Sequence, residues 1–123
     1  MTSLAGPFLT ANRQTLARWH ERIQKCLDRL TPDQIWWRPG DQANAVGNLV
    51  LHLCGNVRQW IIAGAGGVPD TRDRDSEFNQ RDPLPTAELS SRLAAVVSEA
   101  DLVHARHTEA AQLEHRHIQV YAV

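Results

Sequence analysis

The sequence carries almost no net charge: 13 lysines and arginines stand against 14 aspartates and glutamates. A nucleic-acid surface needs a basic excess on one face, and a polybasic membrane contact needs the same, so both partners are excluded as expectations. No apolar run approaches the ~20 residues of a membrane span. The first residues, Met1 to Asn12, lack the basic start and apolar stretch of a signal peptide, which makes a cytoplasmic location the default. Only two cysteines occur, Cys26 and Cys54, and no C-x-x-C. That is too few for a disulfide scaffold, and both fall within helical patterns, where a thiol serves as a small buried hydrophobe. There is no G-x-S-x-G, no H-E-x-x-H and no phosphate-cradling glycine loop. Acidic residues are scarce in the apolar segments, which argues against a di-iron carboxylate bundle.

What is present is helical periodicity. At 123 residues the chain fits one domain, 1–123. From about Pro7 to Leu30, apolar residues recur at three-and-four spacing through Leu16, Trp19, Ile23 and Leu27. Thr31-Pro32-Asp33-Gln34 restarts a short turn, with Thr31 as cap and Pro32 in the first helical position. Trp36-Trp37-Arg38-Pro39-Gly40 breaks it, and its two tryptophans are expected to plug one end of the core, or one of them to face a ligand. A second segment runs from about Ala45 to Ala63, with Asn44 as its cap. It is apolar almost all round, with Arg58 its only formal charge, and so should be the central, most buried helix. Gly64 to Pro85 reads as a loop. Its mixed-charge stretch from Asp70 to Phe78 is a salt-bridged solvated surface or, alternatively, a lid. A third segment from about Ala87 to His107 carries the stripe Leu89, Leu93, Val96, Ala100 and Val103, and Thr108 to Leu113 reads as a further short turn.

The threonine restarts at Thr31 and Thr108 form a loose half-repeat, and the matching offset places the next long helix at Ala122. The expectation is an all-α, up-down bundle with three long helices and a fourth missing or truncated. An exposed apolar groove is expected along the second and third segments, where that helix would lie.

Six histidines are the candidates for metal chemistry. His52 stands out. With Asn48 and Asn56 it forms a four-residue-spaced polar stripe on an apolar helix, and a buried polar stripe must be satisfied. Two readings stay open: a hydrogen-bonded core histidine, or a metal ligand or catalytic group. His104 and His107 lie i, i+3 at a helix end and read as surface or capping residues. His115 and His117 read as exposed, and His20 as a boundary residue.

Trp36-Trp37-Arg38-Pro39, the run from Gly47-Asn48-Leu49-Val50-Leu51-His52 to Trp60-Ile61, Arg72-Asp73-Arg74-Asp75-Ser76-Glu77-Phe78 and Arg116-His117-Ile118-Gln119-Val120-Tyr121 together resemble the DinB-like superfamily, in a branch known as a domain of unknown function. The resemblance covers nearly the whole chain. It implies a four-helix bundle, often a homodimer, holding a divalent metal such as Zn or Ni through three histidines. One lies on the second helix and two, spaced H-x-x-x-H, on the fourth. His52 matches the first, and no H-x-x-x-H pair occurs. Characterised relatives include thiol-dependent S-transferases and isomerases acting on low-molecular-weight thiols. The resemblance thus implies a metal-dependent transferase or hydrolase by ancestry. The alternative is a non-catalytic helical module that pairs its open face with a second chain. With one of three ligands in place, this chain is expected to bind metal weakly and to have little transferase activity.

Overall fold

Why the first segment is a helix, and which side it buries, follows from a seven-residue spacing. Leu9, Leu16, Ile23 and Leu30 recur every second turn, so they line one edge of α1 (Ala5–Arg29). In the computed structural model, which describes residues 4–114, Leu9 and Leu27 are almost fully buried, and Leu16, Ile23 and Leu30 pack against the core. Phe8, Trp19 and Cys26, on the adjoining face, stay exposed. The expectation of two buried thiols therefore holds only in part: Cys26 is exposed because no element among the described residues covers the stripe it belongs to, whereas Cys54 is half-buried.

The short helix α2 (Pro32–Ile35) forms as its sequence directs. The Gln34 backbone N–H donates to Thr31 Oγ1, and the Thr31 N–H donates to Gln34 Oε1, a closed capping box. Trp36 is buried and donates from Nε1 to the Leu84 carbonyl at 3.2 Å, but Trp37 is exposed, so one tryptophan rather than two plugs the core. Helix α3 (Val46–Val57) is capped differently from the Asn44 expectation. Ala45 is the N-cap, and its N–H donates to Asn48 Oδ1 in the first turn. The helix then widens into a π-helical segment, Arg58–Ala63, which unwinds through Gly64 and Gly66 to Gly67 at φ 76°, a left-handed value that glycine adopts freely.

The segment 64–85 is not all loop. Asp73 Oδ1 accepts from the Ser76 N–H and starts α4 (Arg74–Asn79). The last helix, α5 (Thr86–Glu114), runs without a break, so the separate turn expected at Thr108 is absorbed into it. Its buried residues Leu89, Leu93, Val96, Ala100 and Val103 alternate at four and three, the seam expected from the sequence.

The described residues contain helices and no strand. Their side-chain pairings fix the directions. Arg13 meets Asp101 and Gln24 meets Ser90, so α1 and α5 are antiparallel. Arg58 meets Glu99 and His107 meets the Ala65 carbonyl, so α3 and α5 run the same way. The long helices therefore do not simply alternate up and down. Parallel neighbours cannot be joined by a tight turn, which is the physical reason for the long connection over 64–85. Helix α5, not α3, is the central element, because it packs on both other long helices. Between α1 and α3 lies an apolar groove of about 280 Å³, lined by Trp19, Ile23, Cys26, Val46, Leu49 and Leu53. This groove borders the first and second segments, and a separate cleft lies between the second and third. The expectation of a missing or truncated fourth helix, and the readings of His115 and His117, fall outside the described residues. No described helix is long and apolar enough to cross a membrane.

Candidate functional site

Two members of the polar stripe on α3, Asn48 and His52, are met by the connection that follows it. Asn48 is fully buried, and its Nδ2 donates to the carbonyls of Glu77 at 2.9 Å and Gln80 at 3.0 Å. Arg38, from the break after α2, donates to the same Gln80 carbonyl and to that of Ala43. These donors satisfy carbonyls at the end of α4 and hold it against α3. One turn beyond Asn48, His52 meets the side chains of Glu77 and Phe78 on the same helix and of Arg72 just before it.

The Arg72 guanidinium grips both oxygens of Glu77 through one edge: Nε donates to Oε2 at 3.0 Å and Nη2 to Oε1 at 2.9 Å. Their side chains are only 7% and 9% exposed, so this is a desolvated, bidentate ion pair. The Glu77 contact raises the Arg72 pKa above its ordinary value against the opposing effect of burial. Gln59, on the π-helical segment, accepts from Arg72 Nη1 at 2.8 Å and donates to Asp70 at 2.9 Å, so it fixes the guanidinium from behind. Gly55 is required for the approach, because a Cβ there would overlap the Glu77 carboxylate. Gly47 serves the same purpose for the Trp36 ring.

His52 Nδ1 lies 3.1 Å from Arg72 Nη2 and 3.3 Å from Glu77 Oε1. Arginine only donates and an ionised carboxylate only accepts, so the two neighbours favour different states of the ring. With the proton on Nε2, Nδ1 accepts from Arg72. With the proton on Nδ1, it donates to Glu77, and Nε2 presents a lone pair away from the pair. The ring itself is held by Phe78, with centroids 5.0 Å apart, and Arg74 stacks over the far ring at 5.1 Å. The mixed-charge stretch read as a solvated surface or a lid is therefore the wall around His52. Arg72, Glu77 and Phe78 were missed as site residues because alternating charges look solvated in a sequence. The usable signal was the apolar Phe78 beside Glu77, four and five residues past Asp73.

The other described histidines, His20, His104 and His107, do not join this group. His104 is 3% exposed on α5, not a surface or capping residue, and burial lowers its pKa despite Asp101 nearby. His107 ties α5 to Ala65, and His20 is half-buried on α1. Among the described residues, no group of three or more histidines, cysteines and carboxylates is placed to hold a metal ion.

A cleft of about 390 Å³ opens on the side of α3 away from the apolar groove, between α3, α4 and α5. Leu51, Cys54, Ala95 and Val96 line it, with Arg58 and Arg92 from opposing helices and the Arg72–Glu77 pair at its wall. Burial pushes the Cys54 thiol up to about 11, against the lowering effect of Arg92 and Arg58, so it is a neutral thiol at pH 7.

Searches among curated proteins and among solved structures return no match. A family model described as a protein of unknown function, DUF1572, matches residues 3–109, and with nearly the whole chain covered this protein belongs to the DUF1572 family.

Proposed function

We propose that the functional centre is the outward nitrogen of His52, in a domain of DinB-like type whose ancestral chemistry is divalent-metal-dependent transfer or hydrolysis. One observation carries the reading. His52 Nδ1 faces a carboxylate that is itself clamped by a buried arginine. A histidine that serves as a ligand or base through Nε2 commonly gives its other N–H to a carboxylate, which fixes ring orientation and raises basicity.

The described residues do not fit a complete metal site. They supply one imidazole, and the nearest carboxylate is committed to Arg72. Zn and Ni sites take three or four donors, so further ligands would come from outside these residues or from a second chain.

The test is calorimetric titration of Zn, Ni and Co into wild type, His52→Ala and Glu77→Gln, with circular dichroism to establish folding. Weak binding that disappears in His52→Ala and falls about tenfold or more in Glu77→Gln supports the proposal. Tight one-to-one binding that needs His52 also supports it and overturns the expectation of weak affinity. Equal binding in all three proteins removes His52 from metal chemistry.

A second reading rests on a different observation, the apolar groove between α1 and α3. In it the chain is a non-catalytic helical module that pairs this face with a second copy.

A further inference from the structure

The cleft between α3, α4 and α5 is not part of the His52 cluster, although the two share the Arg72–Glu77 wall. Its volume of about 390 Å³ lies at the small end of the range for small-molecule sites. Its floor is apolar, from Leu51, Cys54 and Val96. Its charges do not cancel evenly. Arg72 and Glu77 neutralise each other, and Asp73 caps α4 but keeps its charge. The lining therefore holds three arginines against two carboxylates, and the side chains of Arg58 and Arg92 line it from different helices.

Each of these two is held loosely. Arg58 Nη2 donates to Glu99 at 2.9 Å and Arg92 Nη2 to Glu88 at 2.6 Å, each through one nitrogen, and all four side chains are 41–50% exposed. Exposed pairs of this kind contribute little, and a guanidinium has five N–H donors, so both can take a second anion. Arg58 is also the first residue of the π-helical segment, and such segments recur at functional sites.

From this geometry we infer that the cleft binds a small monocarboxylate with a short apolar tail. The carboxylate lies between Arg58 and Arg92, and the tail covers Leu51, Cys54 and Val96. Binding is non-covalent, because the Cys54 thiol stays protonated.

The probe is octanoate, titrated by calorimetry into wild type, Arg58→Gln, Arg92→Gln and the double variant. A second readout is the rate at which N-ethylmaleimide labels Cys54 at about pH 9, where roughly one per cent of a thiol titrating near 11 is thiolate, in a Cys26→Ser background. Arg58 and Arg92 are half-exposed, so their variants should fold, as circular dichroism will show. Octanoate is expected to bind wild type and slow labelling, with affinity falling about tenfold or more in the double variant. The neutral analogue 1-octanol should bind far more weakly, and the Arg58→Gln, Arg92→Gln double variant should keep wild-type binding of Zn, Ni and Co, which separates this site from the metal proposal. Equal binding of octanol, unchanged affinity in the double variant, or unprotected Cys54 would each overturn the inference. So would inorganic phosphate binding as tightly as octanoate with the same arginine dependence, because the apolar floor would then be idle.

Discussion

At the scale of single residues, the Arg72–Glu77 pair sets the largest expected effects. Both charges are nearly out of water, so removing one partner strands the other. Arg72→Met is expected to cost about 3–5 kcal/mol in urea unfolding, whereas Arg72→Met combined with Glu77→Leu should cost less than either single change. A double variant as unstable as the sum of the singles would mean that the two side chains act independently. Gly55→Ala gives a smaller version of the same test. Its added methyl meets the Glu77 carboxylate, and a loss of about 1–3 kcal/mol is expected, with the wild-type value contradicting the close approach. His52 was legible in the sequence because a lone polar stripe on an apolar helix needs a partner. Glu77 and Arg72 were not, since nothing in a run of alternating charges distinguishes the two side chains that turn inward. Only the Asn48 and Arg38 hydrogen bonds, which draw the end of α4 down onto α3, decide which ones do.

At the scale of elements, local signals read well and neighbours did not. The capping box at Thr31, the heptad edge of α1 and the seam of α5 follow from residue spacing alone. The pairing of α1 with α5 depends on contacts 88 residues apart, such as Arg13 with Asp101, which no window of sequence contains. For that reason the apolar second helix was read as central, when one of its faces in fact borders the open groove. The connection over 64–85 is anchored chiefly by Asn48. Asn48→Leu should lose about 1–3 kcal/mol through the stranded Glu77 carbonyl and Ala45 N–H, while the Gln80 carbonyl keeps its bond from Arg38. It should also raise hydrogen exchange and protease cleavage within 64–85 before the long helices open. Uniform loss of protection across the chain would instead make that segment part of one cooperative unit. On α5, His104 gives a pH dependence of known sign. Its pKa is lowered in the folded state by burial, so it is neutral there and more readily protonated in the unfolded chain. Its contribution is complete above the unfolded value near 6.5 and is lost as pH falls through the lower folded value. Wild type should therefore lose stability between pH 7 and 5, with His104→Leu flatter over that range. Asp101, held below the usual carboxylate range by Arg13, acts in a more acidic window, and the two effects separate.

At the scale of the whole molecule, the groove between α1 and α3 is the feature that a second copy would cover in the module reading. Trp19 and Leu49 are 55% and 47% exposed there. Light scattering should give a dimer for wild type and a monomer for Leu49→Glu, with the helical signal unchanged. A dispersed wild-type monomer would remove that reading. The pairing of α1 with α5 across the length of the chain has a consequence for synthesis. Helix α1 leaves the ribosome first, yet its partner surface near Asp101 is translated roughly 70 residues later, a delay of about 4–14 s at common elongation rates. During that interval the apolar edge from Leu9 to Leu30 has no native cover. The nascent chain therefore passes through a stage in which its earliest helix is the one most in need of shielding by a chaperone.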